Sequence, residues 1–80
     1  MKKLSEIIKN RSYIIHSVTG EDMSLTSKLN QVGFIEGEKV VFLRNAPIFK
    51  DPILFRVGES QIALTKNEAN CITVIEDENV

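Results

Sequence analysis

Between Asp22 and Val32 the apolar residues Leu25, Leu29 and Val32 stand at i, i+4 and i+7, with Ser, Thr, Lys, Asn and Gln between them. That spacing is one apolar stripe on a helix, and it is the only clear helical pattern in the 80-residue chain. A chain with a single convincing helix must build the rest of its core from strands. The helix also carries its own boundaries. Asp22 or Ser24 can accept from the open N–H groups of a first turn. Gly33 suits the left-handed residue that ends a helix, and Phe34 then lies where it can pack back on Leu29.

The flanking segments change period. Tyr13, Ile14, Ile15 and Val18 are aromatic and β-branched, and Gly20-Glu21-Asp22 closes the run with turn residues, which predicts a strand over 11–18. Before it, Leu4, Ile7 and Ile8 suit a short opening turn or helix. After the helix, Ile35-Glu36-Gly37-Glu38 reads as a turn with Gly37 where a type II turn needs positive φ, and a strand over 39–44 follows. Leu54 to Val57 and Gln61 to Leu64 flank Gly58-Glu59-Ser60 and pair most simply as a hairpin. Thr65-Lys66-Asn67-Glu68 has the form of a capping box and starts a helical turn carrying Ala69. Ile72 and Val74 alternate with Thr73 and Ile75 in a last strand, and residues 76–80 read as a solvated acidic tail. The sum is a mainly β fold: a small, partly open β-barrel of about five strands, with one α-helix after the first strand and a short helical turn before the last. One domain spans 1–80.

Size and composition limit what such a barrel can do. A chain of this length buries only about 60% of the surface its unfolded form exposes, so a deep catalytic cleft is hard to build. The formal net charge of −1 provides no broad basic surface, which argues against nucleic acid as a partner. The lone Cys71 cannot form an internal disulfide, which points to a reducing, cytoplasmic setting. The longest apolar run, Val40 to Leu43, is far too short to cross a bilayer, so neither a leader nor direct membrane insertion is expected.

Reactive side chains are sparse. His16 alternates with Ile14 and Val18 and reads as a core or rim histidine, because a metal site needs three or four convergent ligands. Cys71 precedes a strand in apolar surroundings and reads as an inert thiol. Glu36, Glu38, Asp51, Glu59 and Glu68 sit mostly in turns without the ligand spacing of a calcium loop. The expectation is therefore no catalytic residues, no cofactor, no metal ligands and no enzyme activity. The remaining candidate is Pro47-Ile48-Phe49-Lys50-Asp51-Pro52. Ile48 and Phe49 either fold back over an open barrel end or stand out as an apolar anchor, on a loop whose stiffness lowers the entropy lost on docking. Ile48, Phe49, Lys50 and Asp51 are accordingly the candidate partner-binding patch. Phe34 and Phe42 are expected in the core.

Taken in order, Lys28-Leu29-Asn30-Gln31-Val32-Gly33-Phe34, Glu36-Gly37-Glu38-Lys39-Val40, Ala46-Pro47, Asp51-Pro52-Ile53 and Ile62-Ala63-Leu64, leading through Asn67-Glu68-Ala69 to Ile72 and Val74, resemble the FeoA family over about residues 4–75. The resemblance implies an SH3-like barrel and a cytoplasmic accessory role in ferrous iron uptake. The implied partner is the cytosolic part of a FeoB-like membrane transporter with a GTPase domain. That would place the protein at the inner face of the membrane through its partner, with weak homo-oligomerisation left open. The alternative it carries is a metal-responsive regulatory module, binding a transition metal or a peptide, akin to the C-terminal domain of iron-dependent repressors. Three positions depart from the family: Glu36 stands where Pro is common, Thr65 where Arg is common, and Lys50 where glycine usually precedes the aspartate, in a loop one residue longer.

Overall fold

The structure is a computed structural model and describes residues 1–20 and 22–78. Glu21 of the expected turn and Asn79 and Val80 of the expected tail lie outside the described residues. The elements run β1 (Lys2–Lys3), a 3-10 turn (Leu4–Glu6), β2 (Ser12–Val18), α1 (Met23–Gln31), β3 (Lys39–Asn45), β4 (Ile53–Val57), β5 (Ser60–Leu64), α2 (Lys66–Ala69) and β6 (Ile72–Glu76). All strand pairs are antiparallel, and the described strands form one open sheet in the order β1-β6-β2-β3-β4-β5.

The mainly β, SH3-like architecture is as expected, with six strands where about five were predicted. The added strand is β1, which pairs Lys2 with Val74 and Lys3 with Thr73. Two exposed lysines carry no apolar alternation, and their pairing is purely main-chain, so the sequence pattern has no means of showing it. The expected solvated tail is also corrected. Glu76 belongs to β6. The Asp77 side chain is almost wholly buried, where it accepts from the Ser12 hydroxyl at 3.1 Å and pairs with Lys39 Nζ at 3.4 Å.

α1 begins and ends as its residues dictate. The Asp22 carboxylate accepts from the Ser24 N–H at 2.9 Å, which fills one of the open donors of the first turn. At the far end Gly33 takes φ 115°; its N–H donates to the Asn30 carbonyl, and the Phe34 N–H donates to the Leu29 carbonyl at 3.0 Å. This paired closure turns the chain so that Phe34 enters the core fully buried. Gly37 then makes the expected turn at φ 91°, with the Glu38 N–H donating to the Ile35 carbonyl at 3.0 Å.

The inner face of the sheet is filled by Leu4, Tyr13, Ile15, Val40, Phe55, Ile72 and Val74, covered by Leu29 and Phe34. Phe34 meets Phe55 edge to face with ring centroids 6.3 Å apart, and Phe42 tilts against the same ring at 6.1 Å. Two bulges bend the sheet around this cluster, one between Ile15 and Ser17 and one between Phe42 and Arg44. His16 occupies the first bulge and is exposed. Its place in the alternation promised a core or rim position, and the extra residue of the bulge assigns it to the rim.

Candidate functional site

The chain from Asn45 to Ile53 leaves β3 and re-enters β4 through the Pro-flanked loop, and its base is tied down at four points. The Asn45 side-chain amide donates to the Lys50 carbonyl at 2.9 Å. The Ala46 N–H donates to the Pro52 carbonyl at 3.0 Å, and the Lys50 N–H donates to the Ala46 carbonyl at 3.1 Å. Asp51 reaches outside the loop, its carboxylate accepting from the Lys66 N–H at 2.9 Å at the start of α2. Lys50 adopts φ 57°, the left-handed conformation that explains why a glycine suits this position.

With the base fixed, the tip projects. Ile48 is 81% exposed and Phe49 is 82% exposed. Of the two arrangements open to them, they take the outward one and do not close the barrel. Lys50 is exposed beside them and Asp51 is half-buried in its cap. The four residues of the candidate patch are therefore contiguous, but they divide in function: Asp51 anchors, while Ile48, Phe49 and Lys50 face outward.

Beside the loop lies a shallow groove of about 400 Å³ lined by Arg44, Asn45, Ala46, Pro47, Pro52, Leu54 and Ala63. No sequence motif marks this groove. Its signal was present in the alternation of β4, where Ile53, Phe55 and Val57 are buried and Leu54 and Arg56 point the other way.

The titratable groups do structural work or face solvent. Among the described residues no three His, Cys, Asp or Glu side chains gather into a metal-sized cluster. Cys71 is half-buried, its thiol donating to the Asn67 carbonyl at 3.6 Å. Glu36, Glu38 and Glu59 are exposed. The Glu68 carboxyl is held below its ordinary range mainly by the Thr65 N–H that donates to it, with partial burial opposing and the Thr65 hydroxyl and Lys28 assisting. Asp22 is lowered in the same way, first by the Ser24 N–H and then by the Ser24 hydroxyl.

The loop between β3 and β4, the capped helix and the capping box reproduce the ordered pattern that suggested a family, and the FeoA domain model matches residues 2–76. The chain belongs to the FeoA family. The family is implicated in ferrous iron transport. This FeoA chain is 29% identical to FeoA of Stenotrophomonas maltophilia, solved in complex with zinc and described as a prokaryotic SH3 domain protein considered as an activating factor of ferrous iron transport. That match covers 92% of this chain and 89% of the other, with a TM-score of 0.80. Iron(II) transport protein A of Clostridium thermocellum is 32% identical over 94% of this chain and 45% of its own, with a TM-score of 0.84; the present chain spans less than half of that protein. IdeR of T. acidophilum shares the fold at a TM-score of 0.79, with 18% identity over 95% of this chain and 34% of its own. No curated protein sequence matches the chain. Among the described residues of this FeoA, no helix is long and apolar enough to cross a membrane.

Proposed function

We propose that this FeoA chain is a non-catalytic docking protein of ferrous iron uptake whose partner is the cytosolic part of a FeoB-like membrane transporter with a GTPase domain. The observation that carries this reading is the loop tip, where Ile48 and Phe49 stand in solvent on a base held by four hydrogen bonds. An aromatic held outward on a fixed base loses little entropy when it enters a partner pocket, and aromatic residues dominate interface hot spots. Lys50 beside it supplies a charge for register. Family membership supports iron transport as the setting.

Phe49→Ala is expected to weaken binding to the purified cytosolic portion of the transporter by about 2 kcal/mol. Its thermal transition should coincide with that of the wild type. Titration of the immobilised transporter domain, with and without guanine nucleotide, reads the effect, and unchanged binding by the variant removes the loop from the mechanism.

A second reading, a metal-responsive module, is supported by the zinc bound to the S. maltophilia relative. Calorimetric titration with Fe(II), Mn(II) and Zn(II) separates the two. Tight stoichiometric binding favours the sensor, and absence of heat favours the docking protein.

A further inference from the structure

The groove beside the loop ends at an unfinished strand. Among the described residues β5 pairs on one side only, with β4. Gly58 and Glu59 form a two-residue turn closed by Val57 and Ser60, the arrangement in which the closing residues exchange main-chain hydrogen bonds. Alternation along the ladder then turns the N–H and C=O of Gln61 and Ala63 away from β4. Among the described residues no main-chain group outside the ladder bonds either residue. β5 also lacks the usual protections of an edge, having no proline, glycine or lysine from Ser60 to Leu64.

The outer face next to this edge has a definite chemistry. Arg44, Leu54 and Ala63 form one cross-strand row, and Arg56 and Gln61 form the next. Leu54 and Ala63 supply apolar lining to the groove. Arg44, Lys50, Arg56 and Lys66 surround it, and none enters an ion pair among the described residues. Three carboxylates lie in the same region: Asp51 accepts from the Lys66 N–H, Glu59 is exposed at the hairpin turn, and the Glu38 carboxylate lies beside Gly58 of that turn. Four cations against three carboxylates, two of them gathered at the hairpin turn, leave the strip along Leu54 and Ala63 with a cationic excess in a chain of net charge −1.

We infer that the outer edge of β5 accepts an extended acidic segment of a partner protein as an added antiparallel or parallel strand. Main-chain bonds form to Gln61 and Ala63, an apolar side chain of the segment rests on Ala63 and faces Leu54, and carboxylates two residues to either side lie toward Arg56 at one end and Lys66 at the other. Strand addition derives affinity from the backbone and specificity from alternate side chains, which is what this edge offers. A second copy of the same chain is the wrong occupant, because pairing β5 with β5 sets two cationic borders together. The inference stands apart from the transporter reading, since it specifies the chemistry of a bound segment and not which protein carries it.

The test titrates ¹⁵N-labelled full-length protein with a capped peptide containing Glu-Thr-Val-Thr-Glu, and with its Lys-Thr-Val-Thr-Lys counterpart. The acidic peptide is expected to shift the amides of Gln61 and Ala63 and slow their hydrogen exchange, while the basic peptide leaves them unchanged. The double variant Arg56→Glu/Lys66→Glu should bind the acidic peptide at least about tenfold more weakly. Ala63→Pro removes an outward N–H without breaking the β4 ladder, a position where an edge strand tolerates proline, and should abolish binding. If that variant does not fold, the charge-reversed pair decides alone. Shifts confined to residues 47–50, no shifts at saturating peptide, or equal binding of both peptides overturns the inference.

Discussion

Lys50 holds a conformation that its side chain disfavours. The left-handed region costs a residue with a Cβ about 1–2 kcal/mol, while glycine in its place gives back about 0.5–1 kcal/mol in chain entropy. The balance favours the substitution at this φ of 57°. Lys50→Gly is therefore expected to stabilise the protein by about 0.5 kcal/mol, raising the thermal midpoint by about 2–4 °C. Lys50→Val should lower the midpoint, because a β-branched residue fits the same backbone worse. Differential scanning calorimetry of the two variants gives the comparison, and a lowered midpoint for the glycine form would show that the lysine makes a compensating contact.

At the scale of elements, α2 is only four residues long and depends on its cap. The Thr65 hydroxyl accepts from the Glu68 N–H at 3.1 Å, and Glu68 accepts in return from the Thr65 N–H at 2.9 Å. Thr65→Ala is expected to cost about 1 kcal/mol in chemical denaturation. The same exchange sets a pH dependence. The folded Glu68 carboxyl titrates below its ordinary value of 4.5, so its contribution is complete above the unfolded value and disappears as pH falls through the lower, folded value. Thermal midpoints followed from about pH 6 to about pH 3 should fall less steeply for Glu68→Gln than for the wild type.

Elements whose causes are local were the legible ones. The Leu25, Leu29, Val32 stripe with Gly33 behind it, the Gly37 turn and the Thr65 box each declare themselves within a few residues, and each lies where expected. What escaped depends on distant partners. β1 exists because β6 offers it an edge, and Asp77 is buried because Ser12 and Lys39 meet it; for His16, read as core or rim, only the bulge fixed by register with β6 decides for the rim. The candidate patch was readable as a contiguous string. The outward aim of Ile48 and Phe49 was not, since it follows from hydrogen bonds closed by the fold.

For the whole molecule, one aromatic ring organises the interior. Phe55 is fully buried and touches both Phe34 and Phe42. Removing such a side chain costs about 3–5 kcal/mol, a large share of the 5–15 kcal/mol, roughly, that holds a domain together. Phe55→Ala should lower the thermal midpoint by about 15 °C or more, whereas the exposed Phe49 can be truncated without a shift. The two phenylalanines thus separate the interior from the display surface in one calorimetric experiment.

The hydrogen bond donated by the Lys66 N–H to Asp51, the one of the four ties at the loop base that leaves the loop, makes the projecting tip a cantilever rooted in a helix. A partner that levers Phe49 sideways must strain that root. Glu68 of the same helix lies 3.6 Å from the Lys28 ammonium of α1, so the root of the tip neighbours the capped helix.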